Sequence, residues 1–316
     1  IAFTSYEGGR FESFGGAGLG EANAGALAIV TGLFAGAALF LAGSLRERIV
    51  LFLIMPFLMN GLVTTISRSG FLALAVGGVI FNYFTPAKFR KPVRILSVLA
   101  VVLFLAVAGP AYWQRMQSLK HAGENVEGMD TGGGRLEIIA AQWRMFADHP
   151  LGCGAMCTAV LSPNYMEASL LTTFGTTQVR ASHNTFMSFL VEQGIVGAAL
   201  YIAILVWIFA RIRALVRTLK NAEGFLPTVL PALAALLAAI TVGDMFVSYT
   251  KFEPRIWFIA VLMAFTGLAQ AFVSKAALPP SAPEIAGAAQ PPKPKPVRGP
   301  QGDAPHARPP NMRRTR

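Results

Sequence analysis

Charge is what this sequence has least of: Asp, Glu, Lys and Arg together make up 14% of its 316 residues, against 54% hydrophobic. A water-facing surface needs far more, so the two soluble domains that the length would allow are excluded, and the solvent is a bilayer. Acidic residues are the scarcer half, 16 against 27 basic, for a formal net charge of +11. The chain has no Walker loop, no dinucleotide glycine pattern and no Asp-x-Asp pair to hold a metal-nucleotide sugar, which argues against soluble nucleotide donors. It shows no internal repeat and no signal-peptide pattern. Its first residue is Ile1 rather than an initiator Met, so further crossings are expected upstream.

Apolar runs are what it has. Hydrocarbon about 30 Å thick asks for about 20 apolar residues per helical crossing, and that length recurs over Ala22–Ala42, Ile49–Ile66, Ser69–Phe84, Ile95–Tyr112, Thr185–Ile208, Phe225–Val247 and Ile256–Ser274. The expectation is therefore an all-α polytopic membrane protein with about seven crossings. Cytoplasmic loops accumulate Lys and Arg. With the first segment outside, the inside loops hold Arg46 and Arg48, then Lys88, Arg90, Lys91 and Arg94, then Arg211, Arg213, Arg217 and Lys220. The excess of positive charge thus follows from topology, and its partner is anionic lipid rather than nucleic acid.

The expected organisation is an extracytoplasmic loop over 1–21, a bundle of four helices over 22–111, a large extracytoplasmic loop over 112–184, three helices over 185–274, and a basic, Pro-rich, disordered cytoplasmic tail over 275–316. Within the large loop, "GGGRLEIIAAQWRMFADHP" spaces Leu136, Ile139, Ala140, Trp143 and Phe146 by three and four, which predicts an amphipathic helix with that stripe as its apolar face.

Basic residues on the outer side run against the orientation rule and invite a reason. Arg68, in the short reversal "TTISRSGFLAL", is placed to reach a phosphate or else to snorkel as an interfacial anchor. Arg135 follows three glycines at a helix start, where free backbone N–H groups and a guanidinium form an anion site, unless the glycines merely shape a turn. His183 precedes a helix at the outer interface, as a candidate base or a structural imidazole, and Asn184 can cap that helix or orient a substrate. Glu192 reads as a carboxylate inside the fifth crossing, on the opposite face from His183 and suited to structural pairing. Asp244, Lys251, Glu253 and Arg255 read as a solvated turn of mutual ion pairs. Cys153 and Cys157, four apart, read as packed thiols poorly placed to bridge. With His149 they lack a fourth ligand and a regular helix, so no metal site is expected.

Taken together, "TISRSG", "GGGRLEIIAAQW", "HPLGCG", "SHN" and "EQGIVG" resemble the O-antigen ligase and polymerase family of bacterial membrane glycosyltransferases, over roughly Glu21 to Tyr201. The resemblance implies a glycosyltransferase C-like fold in the bacterial inner membrane. It also implies transfer of a glycan from an undecaprenyl-diphosphate carrier to an acceptor hydroxyl on the outer face, by inversion, with neither metal nor cofactor. By the same resemblance His183 is the catalytic base. Arg68 binds the diphosphate, Arg135 matches the arginine ahead of the loop helix, and Asn23 in "GEANAGALA" matches an asparagine that opens an early crossing; Arg135, Arg180 and Asn184 are expected beside them as diphosphate or glycan contacts. Family members carry an arginine closer to that asparagine than Arg10 stands here, which weakens Arg10 as a donor contact. The competing readings are a small-solute or ion transporter, which expects ionisable groups at the bilayer midplane, and a non-catalytic envelope assembly protein.

Overall fold

The computed structural model describes residues 5–7, 10–13, 21–117, 134–174, 177–219, 222, 224–248 and 253–277. The Pro-rich tail from 278 onward, loop residues 118–133 and Lys251 lie outside them, as do the side chains of Arg10, Arg115, Glu253 and Arg255. Contacts divide the chain into two units, Ile1–Val273 and Ser274–Arg316.

Helices stand at each of the expected apolar runs. They are α1 (Ala22–Ala42), α2 (Leu45–Thr64), α3 (Arg68–Phe84), α4 (Arg90–Val107), α9 (Gly194–Thr218), α10 (Phe225–Asp244) and α11 (Glu253–Ala277). Four of them, α1, α2, α9 and α10, are long and apolar enough to cross a membrane by length and composition. The apolar stretches of α3 and α11 are shorter, and α4 opens on Arg90, Lys91 and Arg94.

Capping explains several of the helix ends. Glu47 reaches back to the backbone N–H and the hydroxyl of Ser44 at 2.6 and 2.8 Å, so the chain reverses between α1 and α2 within Gly43–Ser44. Ser67 caps α3 by accepting the Gly70 N–H at 3.1 Å. The fourth run does not continue to Tyr112: it breaks at Ala108–Gly109, and α5 (Pro110–Gln117) starts at a proline, the residue best tolerated in a first turn. Two short hairpins, β1 (Ser5–Glu7) with β2 (Arg10–Ser13) and β3 (Thr172–Phe174) with β4 (Thr177–Val179), qualify the all-α expectation.

The centre of the bundle is α10, which packs on α3, α1 and α9. Apolar association gains little inside lipid, so helices there are joined by close van der Waals fit, and small residues permit it. A Cβ on Gly77 of α3 would lie 2.5 Å from the Phe34 ring and 3.2 Å from the Ala235 carbonyl, and one on Gly243 would lie 2.6 Å from Leu27. The outward faces of α2, α4 and α9 present Phe52, Leu53 and Phe57, then Val98, Val101 and Leu105, then Leu200, Ile204 and Val206. That belt is intelligible only against hydrocarbon.

The fifth run is two helices. The short α8 (Thr185–Glu192) ends at Gln193, and α9 starts anew at Gly194, whose φ is +67°. Glu192 therefore closes α8 ahead of the crossing, and its carbonyl accepts from Gly154 N–H at 2.9 Å. This corrects the expectation of a carboxylate two turns into the membrane. The break is held by the "HPLGCG" loop. Pro150 O accepts from Ile195 N–H at 3.0 Å, and Val191 O accepts from Cys153 N–H at 3.1 Å. A Cβ on Gly194 would sit 2.3 Å from the Leu151 carbonyl carbon, and one on Gly152 would sit 2.7 Å from Glu192 O. Both glycines have positive φ and meet backbone to backbone, which only residues without a side chain allow.

Around this junction α6 (Gly134–Asp148), α7 (Cys157–Tyr165) and α8 build a second core from Ile138, Ala141, Met145, Cys157, Met166 and Val191. The expected helix exists, but its buried stripe is Ile138, Ala141, Gln142 and Met145, while Leu136 and Trp143 are 68% and 53% exposed. A polar Gln142 at the centre of the buried stripe disguises that face from a hydrophobicity pattern. Cys153 and Cys157 form a disulfide with Cα atoms 5.8 Å apart, against the expectation of packed thiols. Cys153 lies in the loop, not on a helix with Cys157, so the four-residue spacing does not set the geometry.

Candidate functional site

Four chain segments meet at one end of the bundle: the starts of α1, α3 and α8 and the turn after α10. The Ser67 hydroxyl, which caps α3, donates to Asn23 Oδ1 of α1 at 2.7 Å and lies 3.0 Å from Ser69 Oγ. The reversal ahead of it is tight, with Ile66 at φ +46° and Ser67 N–H on Thr65 Oγ1. Arg68, half-buried, follows Ser67 in the chain as the first residue of α3.

Two residues before Asn23, the Glu21 carboxylate lies 3.7 Å from Nδ1 of His183. His183 is 28% exposed and held at φ +49°, in the left-handed region that a non-glycine residue seldom adopts. Burial pushes its imidazole below the usual histidine range. Glu21 opposes that shift, while the Arg180 and Arg135 guanidinium groups add to it. The imidazole is thus biased to the neutral form, with one carboxylate and two cations near enough to be felt.

Asn184 caps α8, its Oδ1 accepting from Met187 N–H at 3.0 Å. Its Nδ2 donates to the Met245 carbonyl at 3.4 Å, the Thr185 hydroxyl donates to the Val247 carbonyl at 2.6 Å, and the Ser188 hydroxyl lies 3.4 Å from Ser248 Oγ. Phe246, between those residues, presents its ring to the Arg135 guanidinium at 5.7 Å from the centroid. Fully buried Asp244 accepts from the Tyr201 hydroxyl, which ties α10 to α9, and Tyr201 stacks on Phe189 of α8 at 4.4 Å. Arg180 is fixed through its backbone N–H, which donates to Ser162 of α7 at 2.7 Å. Arg10 lies in β2, beside the start of α1.

A neutral imidazole can take a proton from a hydroxyl, and guanidinium groups can neutralise a phosphorylated leaving group without help. Residues 50–202, just under half of the chain, match the family model described as O-antigen ligase. Over these residues the chain is similar to the O-antigen ligase family. It is accordingly a multi-pass membrane protein of the glycan ligase or polymerase type, a glycosyltransferase-like enzyme whose partners are a lipid-linked glycan and an acceptor. The O-antigen ligase match takes in Arg68, Arg135, Arg180, His183 and Asn184 and stops short of Asn23 and of the α10 turn. No match was found among curated proteins.

Sequence reasoning passed over Glu21, which stands in the quoted "GEANAGALA" beside the asparagine it singled out. It assigned Asp244 to a solvated turn, whereas that carboxylate is buried against Tyr201. Tyr201, Phe246 and the carbonyls of Met245 and Val247 carry no local signal, because what they do depends on partners distant in sequence, 43 residues away for Tyr201 and 61 and 62 for the two carbonyls.

Proposed function

We propose that this protein transfers a glycan from an undecaprenyl-diphosphate carrier to an acceptor hydroxyl at the outer face of the bacterial inner membrane, with its C-terminal tail in the cytoplasm. The observation that carries the reading is the His183 imidazole, depressed by burial, with Glu21 at 3.7 Å and the charges of Arg135 and Arg180 acting on it. In this mechanism Nε2 of His183 takes the acceptor proton, and the acceptor oxygen attacks the anomeric carbon from the face opposite the diphosphate. The bond to the leaving oxygen breaks with inversion, and undecaprenyl diphosphate departs. Glu21 faces Nδ1, so it favours the tautomer with Nε2 free and stabilises the imidazolium that forms. Arg68, Arg135 and Arg180 take up the charge of the departing diphosphate in place of a metal, with Asn23 and Asn184 ordering the helix starts that frame it.

The test is glycan transfer by Arg68→Ala and His183→Ala variants that insert at normal levels. Each is expected to lose transfer, and a chelator to leave the unsubstituted enzyme active. Strong dependence on added divalent metal, or full transfer by His183→Ala, overturns the reading. The product separates ligase from polymerase: one preassembled glycan on a new acceptor, or a ladder of carrier-linked chains. Transport is disfavoured because Glu192 stands ahead of the crossing and Asp244 is engaged by Tyr201.

A further inference from the structure

The five residues that close α10, Asp244 to Ser248, lie outside the segment matched to the family, yet each touches an element of the site. The turn is compact: Phe246 and Val247 N–H both donate to Gly243 O, at 2.9 and 3.1 Å, so the backbone carries the α10 axis straight into the site. Its carbonyls at 245 and 247 accept from Asn184 and Thr185, which fixes the backbone immediately after His183. Its one aromatic ring points the other way in sequence, to α6, where it lies under Arg135.

Arginine carries about four rotatable bonds, and holding its fork in one place costs side-chain entropy unless something flat receives it. Arg135 is the second residue of α6, and its guanidinium reaches across to the turn that closes α10. The Phe246 ring supplies a surface that attracts the guanidinium face while leaving its N–H edges directed outward. Stacked this way, Arg135 remains close enough to His183 to depress the imidazole.

Resting on the glycosyl-transfer reading, we infer that Phe246 is a positioning residue of this enzyme, seating the Arg135 guanidinium face-on so that its N–H edges meet the carrier's diphosphate beside His183. Phe246 touches neither substrate nor the reacting atoms; it acts through Arg135. The requirement is for an aromatic face and not for apolar volume, which separates this role from core packing.

The experiment uses the full chain in lipid nanodiscs, with undecaprenyl diphosphate as the probe. Phe246→Leu keeps the apolar bulk and removes the ring. It is expected to weaken binding of the probe about five- to tenfold, and to raise the donor KM by a similar factor with a smaller change in kcat. Because Arg135 then acts less on the imidazole, the acid limb of transfer moves to higher pH. Phe246→Tyr restores binding, KM and pH profile together, and Phe246→Leu made on top of Arg135→Ala adds little to the loss that Arg135→Ala causes alone. Equal behaviour of Phe246→Leu and the unsubstituted chain overturns the inference, as does loss by Phe246→Leu and Phe246→Tyr alike with lowered thermal stability, which marks a packing role. Failure of the glycosyl-transfer reading itself looks different: His183→Ala then transfers normally whatever stands at 246.

Discussion

Helices α9 and α10 are equally apolar by hydropathy, yet 17% of the best apolar window of α9 is buried within the protein and 72% of that of α10. Composition does not explain the contrast, because lipid tails and protein interiors reward the same side chains. Size does. The length of α10 carries Ala232, Ala234, Ala235, Ala239 and Gly243 toward its neighbours, whereas α9 turns Ile195, Val196, Leu200, Ile204, Val206 and Phe209 outward. A helix that must be approached closely on all sides is made of residues that let backbones come near, and a helix facing lipid fills space with branched bulk. Each nonetheless ends at the candidate site, α10 by the turn that receives Asn184 and Thr185, and α9 by the break at Gly194. The contrast is therefore between shafts that differ in their solvent and ends that share one polar assembly.

The most damaging way to test the shared end is at the break. Gly194 is at φ +67°, and a Cβ there would lie 2.3 Å from Leu151 C and 2.6 Å from Pro150 O, both backbone atoms. Gly194→Ala is expected to cost about 3 kcal/mol or more and to part the "HPLGCG" loop from the start of α9. Gly267→Ala, in α11, would meet nothing within 4 Å and should be nearly neutral. Thermal unfolding of the two variants in the same detergent decides it. Equal losses would mean that the break is an ordinary helix start.

A second pair sharpens the difference between the shafts. Gly77 and Gly78 are adjacent in α3, one facing Phe34 and α10, the other with nothing within 4 Å of its would-be Cβ. Gly77→Ala forces the Phe34 ring to move against the Ala235 backbone and should destabilise by about 1–3 kcal/mol. Gly78→Ala should be neutral or stabilise by up to about 1 kcal/mol through helix propensity alone. The same unfolding measurement reads both, and a reversed order would contradict the placement of α10 at the centre.

How much of this is legible without coordinates depends on the range of the interaction. The α1 run was readable to the residue, Ala22–Ala42, because a continuous apolar run bounded by Glu21 and Gly43 is a local signal. The capping role of Asn184 was readable for the same reason. The division of the fifth run was not, since "VEQGIVG" remains apolar enough to pass as one helix, and only the clash of Gly194 with the 150–152 backbone stops it. The buried face of α6 was misread because Gln142 sits within it. Among the site residues, types and order were in the sequence, but their partners were not: helix geometry excluded Glu192, nine residues on, as a partner of His183, but nothing local pointed to the carboxylate that is beside it, Glu21, far back in the chain. Periodicity reports on what a helix faces and is silent on which distant residue supplies it.

The smallest expected effect concerns that pair. A histidine ordinarily titrates near ~6.5; burial depresses His183, Arg180 and Arg135 depress it further, and Glu21 alone works upward. The base must be neutral, so transfer should hold its rate below the ordinary histidine range and fall only as pH drops through the depressed value. Glu21→Gln removes the one upward influence, so the acid limb should move to still lower pH, by about half a unit to one unit for a partly exposed carboxylate near 4 Å. At neutral pH the same variant should turn over more slowly, because the imidazolium that forms loses its nearby anion. Arg180→Gln should move the limb the opposite way, since a depressing charge is withdrawn. Opposed shifts from two substitutions that each remove one charge cannot come from a general loosening of the fold, which would move both profiles toward an ordinary histidine. A pH–rate profile that both substitutions leave in place would mean that the group controlling transfer is not His183.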